Sequence, residues 1–144
     1  MLLLSQLSVR NPSSCLSSAI IPSSINEYSI QYTRSGKISI RGNHDFVSRG
    51  YPGSGTRDDP YIIQNLEIDV DNEGAISIWN TDVSFVIRNC RILGGGVIFF
   101  NATRGSIESC ELEHGYVLFD DSDNCSLFGS SIKHSGRESV ACYS

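Results

Sequence analysis

From Tyr61 to Tyr143 apolar residues fall at every second position in short runs, as in Tyr61-x-Ile63, Ile76-x-Ile78, Phe85-x-Ile87, Val97-x-Phe99 and Val117-x-Phe119. The breaks between runs carry Gly, Asn, Asp and Ser, so the pattern predicts short strands joined by tight turns. The pattern also repeats. Setting residues 75–95, 96–115 and 116–137 beneath one another aligns Ile76, Val97 and Val117, then Ile78, Phe99 and Phe119, then Asn80, Asn101 and Asp121. The same register aligns Ile87, Ile107 and Leu127, then Cys90, Cys110 and Ser130, then Ile92, Leu112 and Ile132. An earlier copy joins at a 24-residue offset, with Ile63, Asn65, Leu66 and Ile68 preceding Ile87, Asn89, Cys90 and Ile92. A single such unit cannot bury its apolar side, whereas stacked units share a continuous core. The expected fold is all-β, a right-handed parallel β-helix of about three to four coils.

The outward positions test this register independently, because residues one coil apart lie only about 4.8 Å from each other. Glu67, Arg91 and Glu111 form one column, Gln64, Arg88 and Glu108 a second, and Leu93, Glu113 and Lys133 a third. Charges alternate in sign along them, as close stacking requires. The register also places Cys90 and Cys110 in one inward column, Cys125 with Phe85 and Gly105, and Cys142 after Phe119, so four of the five cysteines are expected to fill the core.

Before Tyr61 the repeat is lost. Residues 29–60 are expected to form an N-terminal cap and loop. Within them Lys37–Arg41 alternates like a strand, Asn43 or Asp45 is placed to cap one helical turn, and Gly50–Thr56 is rich in turn formers. Pro60 stands where a strand begins without losing a ladder donor. Residues 1–28, rich in Ser and without period, read as a flexible leader, and residues 61–144 as the coils. Val140-Ala141-Cys142 opens a further coil, and no residues that would cap that end are evident, so further coils or another copy are expected there.

Composition narrows the function. With 144 residues and a formal charge of −5, the chain has no basic excess to favour nucleic acid or an anionic membrane. No stretch approaches the roughly 20 apolar residues that span a bilayer. Met1–Val9 is apolar but lacks a basic flank, so it is not a clean signal peptide. Five cysteines without CxxC spacing indicate free thiols rather than a zinc site or a disulfide framework.

The stretches Ile38-Ser39-Ile40-Arg41-Gly42-Asn43-His44-Asp45-Phe46, Tyr51-Pro52-Gly53-Ser54-Gly55-Thr56 and Asp59-Pro60-Tyr61-Ile62-Ile63 resemble the opening of NosD-like β-helix repeat proteins of archaea and bacteria, a group also called carbohydrate-binding and sugar-hydrolase (CASH) domains. Val86-Ile87-Arg88-Asn89-Cys90-Arg91-Ile92 resembles their Ile-x-Asn-Cys-x-Ile rung. The resemblance covers roughly residues 36–144. It implies a pectin-lyase-like fold and an extracellular or cell-surface setting, and with few coils it suggests a fragment or a decayed copy.

Three sets of residues are candidates for chemistry. Asn80-Thr81-Asp82, Asp120-Asp121 and His114-Gly115 resemble the motifs of polygalacturonases, which makes Asp82, Asp120 and Asp121 the catalytic candidates. In that family, however, the aspartate pair lies on the adjacent coil. Here two rungs, roughly 10 Å, separate Asp82 from Asp121, beyond the 6.5–9.5 Å of an inverting pair. Asp120, Asp121 and Asp123 are candidate Ca²⁺ oxygens, weighed against a turn in which Asp121 simply continues the Asn80–Asn101 column. Asp69, Asp71 and Glu73 form a second acidic turn, and His44, His114 and His134 share no column. Asn101-Ala102-Thr103 and Asn124-Cys125-Ser126 match glycosylation sequons. Finally, alternation sends Trp79 and Phe100 outward on neighbouring rungs beside Ile98 and Leu118, with Asp120 and Ser77 as polar neighbours. Such a strip is either covered by other protein or a platform for stacking sugars. The expected function is a non-catalytic scaffold or glycan-binding module without a required cofactor. A fragment of a polysaccharide-degrading hydrolase or lyase and a structural stacking protein are the competing readings.

Overall fold

The chain winds through three parallel sheets in turn, as the repeat demands. The computed structural model describes residues 29–71, 73–133 and 139–144. The first sheet stacks β1 (Thr33–Ser35), β4 (Leu66–Asp69), β7 (Arg91–Leu93), β10 (Glu111–Glu113) and β13 (Ser131–Lys133). The second stacks β2 (Ile38–Arg41), β5 (Gly74–Thr81), β8 (Gly96–Ala102), β11 (Tyr116–Asp120) and β14 (Val140–Tyr143). The third stacks β3 (Tyr61–Gln64), β6 (Phe85–Arg88), β9 (Gly105–Glu108) and β12 (Ser126–Phe128). Every pairing is parallel, giving a β-solenoid of about four turns.

The columns fall where the sequence places them. Ile76 pairs with Val97 and Val97 with Val117, while Ile63 pairs with Ile87 and Ile87 with Ile107. Ile68, Ile92 and Leu112 line the first sheet's inner face, and all of these inward residues are buried. Burying an Ile side chain contributes roughly 1.5–3 kcal/mol, so these columns are what opposes the entropy of ordering the coils. Offsets of 21 for Ile76–Val97 and 20 for Val97–Val117 differ because Ala75 is an extra residue in β5, where the register shifts between Gly74 and Ile76. Ala75 and Ile76 are consecutive and both buried, as this irregularity requires.

Corners are turned by residues in the left-handed region. Asn65, Asn89, Ser109 and Gly129, with φ of 59°, 51°, 52° and 60°, form one such column between the third and first sheets. Asn80, Asn101 and Asp121, with φ of 52°, 50° and 48°, form another at the end of the second sheet. Asn and Asp tolerate this conformation better than other side chains bearing a Cβ. The amide of each corner then continues the ladder, as Asn89 N–H donates to the Glu108 carbonyl at 3.1 Å.

The segment expected as a cap contains the first rung as well. Ile38 and Ile40 on β2 pair with Ile76 and Ile78, and Thr33–Ser35 on β1 pairs with Leu66–Ile68. Helix α1 (Asn43–Ser48) follows, and its fully buried Phe46 packs below Tyr61 and Phe85 with ring centroids 4.9 Å and 5.5 Å away. The aromatic series continues from Phe85 to Phe99 at 4.9 Å and from Phe99 to Phe119 at 5.1 Å. Gly105 makes room for it, since a side chain there would strike the Phe85 and Phe99 rings. Pro52 accepts the Ile62 amide at 2.9 Å, so the loop closes the lower edge of β3.

Two expectations are corrected. The helix N-cap is Gly42, with no side-chain cap: Asp45 instead accepts the Arg41 amide at 2.8 Å, and Asn43 turns toward the corner at Thr81 and Asp82. Cys90 and Cys110 are buried, but Cys125 is only half-buried and Cys142 is exposed, because no described strand stacks beyond β12 and β14. The outward charge columns stack in the expected register, and their ion pairs centre on Arg91. Arg91 meets Glu67 at 3.5 Å, Glu111 at 4.0 Å and, diagonally, Glu113 at 3.8 Å, whereas no described ion pair joins Glu113 to Lys133. The leader at 1–28 and His134 lie outside the described residues. No described helix is long and apolar enough to cross a membrane.

Candidate functional site

Parallel pairing in the second sheet stacks outward side chains directly above one another. One outward column reads Arg41, Trp79, Phe100, Asp120 and Tyr143 from the first rung to the last, and its neighbour reads Ser39, Ser77, Ile98, Leu118 and Ala141. Trp79 and Phe100 are half-buried against each other, with ring centroids 5.2 Å apart and planes inclined at 41°. Glycine widens this face. The Tyr116 ring lies across Gly96, where an added side chain would collide with it, and at Gly74 an added side chain would strike Ser77 Oγ and press on Ile98. Trp79, Ile98, Phe100, Tyr116 and Leu118 therefore form one apolar area, with Arg41 exposed at its foot and Asp120 above Phe100.

One residue beyond Trp79 and Phe100 the strands reach the corner, where Asn43, Asn80, Thr81, Asp82, Asn101 and Thr103 line an open cleft of about 380 Å³. Every lining side chain is polar. Asn101 Nδ2 donates to Asn80 Oδ1 at 2.9 Å, which confirms the asparagine ladder as a hydrogen-bonded unit. Asn43 Nδ2 donates to Asp82 Oδ1 at 2.7 Å, and the buried Thr81 hydroxyl donates to Asn43 Oδ1 at 2.6 Å. The Arg104 guanidinium donates to the Asp82 carbonyl, and the Thr103 amide donates to the Thr81 carbonyl at 2.9 Å. These bonds tie the cleft residues to one another. Asn43 was not legible as a site residue, because its place after Gly42 signals a helix start rather than a bond to a corner 39 residues away.

The catalytic candidates lie apart. Asp82 is in the cleft, Asp120 is in the outward column two rungs above Trp79, and Asp121 occupies the left-handed corner position above Asn101. The Ca²⁺ candidates do not converge either. Among the described residues no three His, Cys, Asp or Glu side chains come together as a metal set. Asp123 bridges to Thr103 through its backbone, donating to the Ala102 carbonyl at 3.1 Å and accepting from Arg104 N–H at 3.0 Å. The Asp120 carbonyl accepts the Ser122 hydroxyl at 2.9 Å. The sequon residue Asn101 is engaged in its ladder, while Asn124 is exposed at a turn with φ 55°.

Among the described residues, two thiols stack on adjacent rungs of the core. Cys90 and Cys110 are buried, with Cys90 Sγ donating to the Arg88 carbonyl at 3.4 Å and Cys110 Sγ to the Glu108 carbonyl at 3.4 Å, and the neighbouring Cys110 thiol together with burial pushes the Cys90 thiol up. Neither reaches the outer face. No family model, curated protein or solved structure matches the chain.

Proposed function

We propose that the chain is a non-catalytic β-solenoid module, of the NosD-like kind that its opening motif resembles, whose second sheet presents a glycan-binding face in an exported or surface setting. The observation that carries this reading is the half-buried, outward-facing Trp79–Phe100 pair lying beside a cleft lined by polar side chains. Pyranose rings offer an apolar C–H face and a rim of hydroxyls, so a platform of aromatic rings flanked by amides and a carboxylate is chemically matched to them. The solenoid supports this by fixing both parts on paired strands, which limits the ordering cost of binding. The separation of Asp82, Asp120 and Asp121 over two rungs favours binding over hydrolysis.

Affinity electrophoresis and reducing-end assays on a panel of polysaccharides test both halves of the proposal. Retention by at least one polysaccharide is expected, weakened roughly tenfold by Trp79→Ala or Phe100→Ala, with no reducing ends released. Turnover that is lost in Asp82→Asn or Asp121→Asn would overturn the non-catalytic reading.

A further inference from the structure

Two stretches of the chain carry the Asn-x-Ser/Thr pattern with x other than proline, and the fold treats them in opposite ways. In Asn101-Ala102-Thr103 all three residues are committed to the stack. Asn101 Nδ2 donates to Asn80 Oδ1 at 2.9 Å, Ala102 is buried, and the Thr103 hydroxyl donates to the Thr81 carbonyl at 3.3 Å. The backbone is held from both sides as well. Thr103 N–H donates to the Thr81 carbonyl at 2.9 Å on the rung below, while the Ala102 carbonyl accepts Asp123 N–H at 3.1 Å from the rung above, and Ala102 N–H donates to Ser122 Oγ at 3.1 Å. Asn124-Cys125-Ser126 lies one rung higher, at the corner between the second and third sheets. Asn124 and Ser126 are both exposed, and among the described residues neither side chain has a hydrogen-bond partner. The strand that Ser126 opens pairs with β9 below and with no described strand above. A segment held on one side opens at lower cost than one held on two.

We propose that the fold presents Asn124, and not Asn101, as the acceptor of an N-linked glycan. This needs the exported setting read above but not the sugar-binding face. The donor is a lipid-linked oligosaccharyl diphosphate. The Asn124 amide nitrogen bonds to the anomeric carbon of its first sugar, the bond from that carbon to the diphosphate oxygen breaks, and the lipid diphosphate leaves with the electron pair. The nitrogen gives up one proton to a base of the transferase. The Ser126 hydroxyl is the group that the transferase reads beside the amide, and both are open to it. A glycan on Asn124 breaks no side-chain bond of the stack, whereas one on Asn101 would disturb the asparagine ladder beside Phe100.

The test is glycan transfer in vitro to the full 144-residue chain, purified folded and unglycosylated, so that the outcome does not depend on export. The probe is a single-subunit oligosaccharyltransferase that accepts Asn-x-Ser/Thr without further requirement, with its lipid-linked donor. Peptide mapping is expected to find a mass gain of one glycan on Asn124 and none on Asn101. The gain should be lost in Asn124→Gln and in Ser126→Ala, with the far-ultraviolet spectrum and thermal midpoint unchanged. In the full chain kept unfolded by carboxymethylation of its cysteines in denaturant, Asn101 should become an acceptor, because its protection comes from the fold and not from its local sequence. Transfer to Asn101 in the folded chain overturns the proposal. So does a folded chain that stays unmodified at Asn124 while the same enzyme modifies the unfolded chain, and an Asn101 that is refused in both states overturns the protection assigned to the fold.

Discussion

A few residues with unusual backbones or unusual neighbours do most to shape the molecule. Asn80 and Asn101 serve twice: with φ near 50° they turn the chain at the end of the second sheet, and their amides bond to each other beside the aromatic pair. The cysteines show how rung position decides chemistry for one residue type. Cys90 is buried and its thiol is pushed up by the neighbouring Cys110 and by burial, and burial likewise pushes Cys125 up, whereas Cys142 is exposed on β14. Because the thiolate is the reactive form, a Cys15→Ala variant is expected to show one fast thiol toward Ellman's reagent at pH 8, namely Cys142. Cys125 should react slowly, and Cys90 and Cys110 only after unfolding. Rapid native labelling of Cys90, identified by peptide mapping, would contradict the inward column.

Helix α1 and the loop after it close the lower end of the stack. Phe46 reaches the core from α1 and contacts Tyr51, Tyr61 and Phe85. Its truncation leaves a cavity at the foot of the aromatic series. Phe46→Ala should cost about 3–5 kcal/mol, read as a lowered urea midpoint without a change in slope, and an effect below about 1 kcal/mol would show that the end is sealed in another way. This element also marks where sequence reading runs out. The columns from Ile63 to Ile132 were legible because like residues recur at nearly constant spacing and stack within one ladder. The first rung was not, because α1 and its loop are inserted before the third sheet and stretch the offset from Ile38 to Ile76 to 38 residues. The bulge at Ala75 and the bond from Asn43 to Asp82 depend on tertiary contacts that no local pattern encodes. The outward placement of Trp79 and Phe100 followed from alternation alone, while Arg41 entered their column only once the first rung was known.

At the scale of the whole molecule, the solenoid converts sequence repeats into straight columns, so chemistry accumulates along one face instead of within a pocket. The inner columns are filled with Ile, Val, Leu and Phe and carry the stability. The outer face of the second sheet is left to vary, and there the column runs from a cation through two aromatic rings to a carboxylate. The central claim is that this face binds sugar, and the chain contains its own reporter, since Trp79 is its single tryptophan. The most direct measurement is therefore tryptophan fluorescence during titration with an oligosaccharide already shown by calorimetry to bind. The account predicts a saturable change in emission and reduced acrylamide quenching, with the same midpoint as the calorimetric isotherm. Calorimetric binding that leaves both the emission and the quenching of Trp79 unchanged would contradict it.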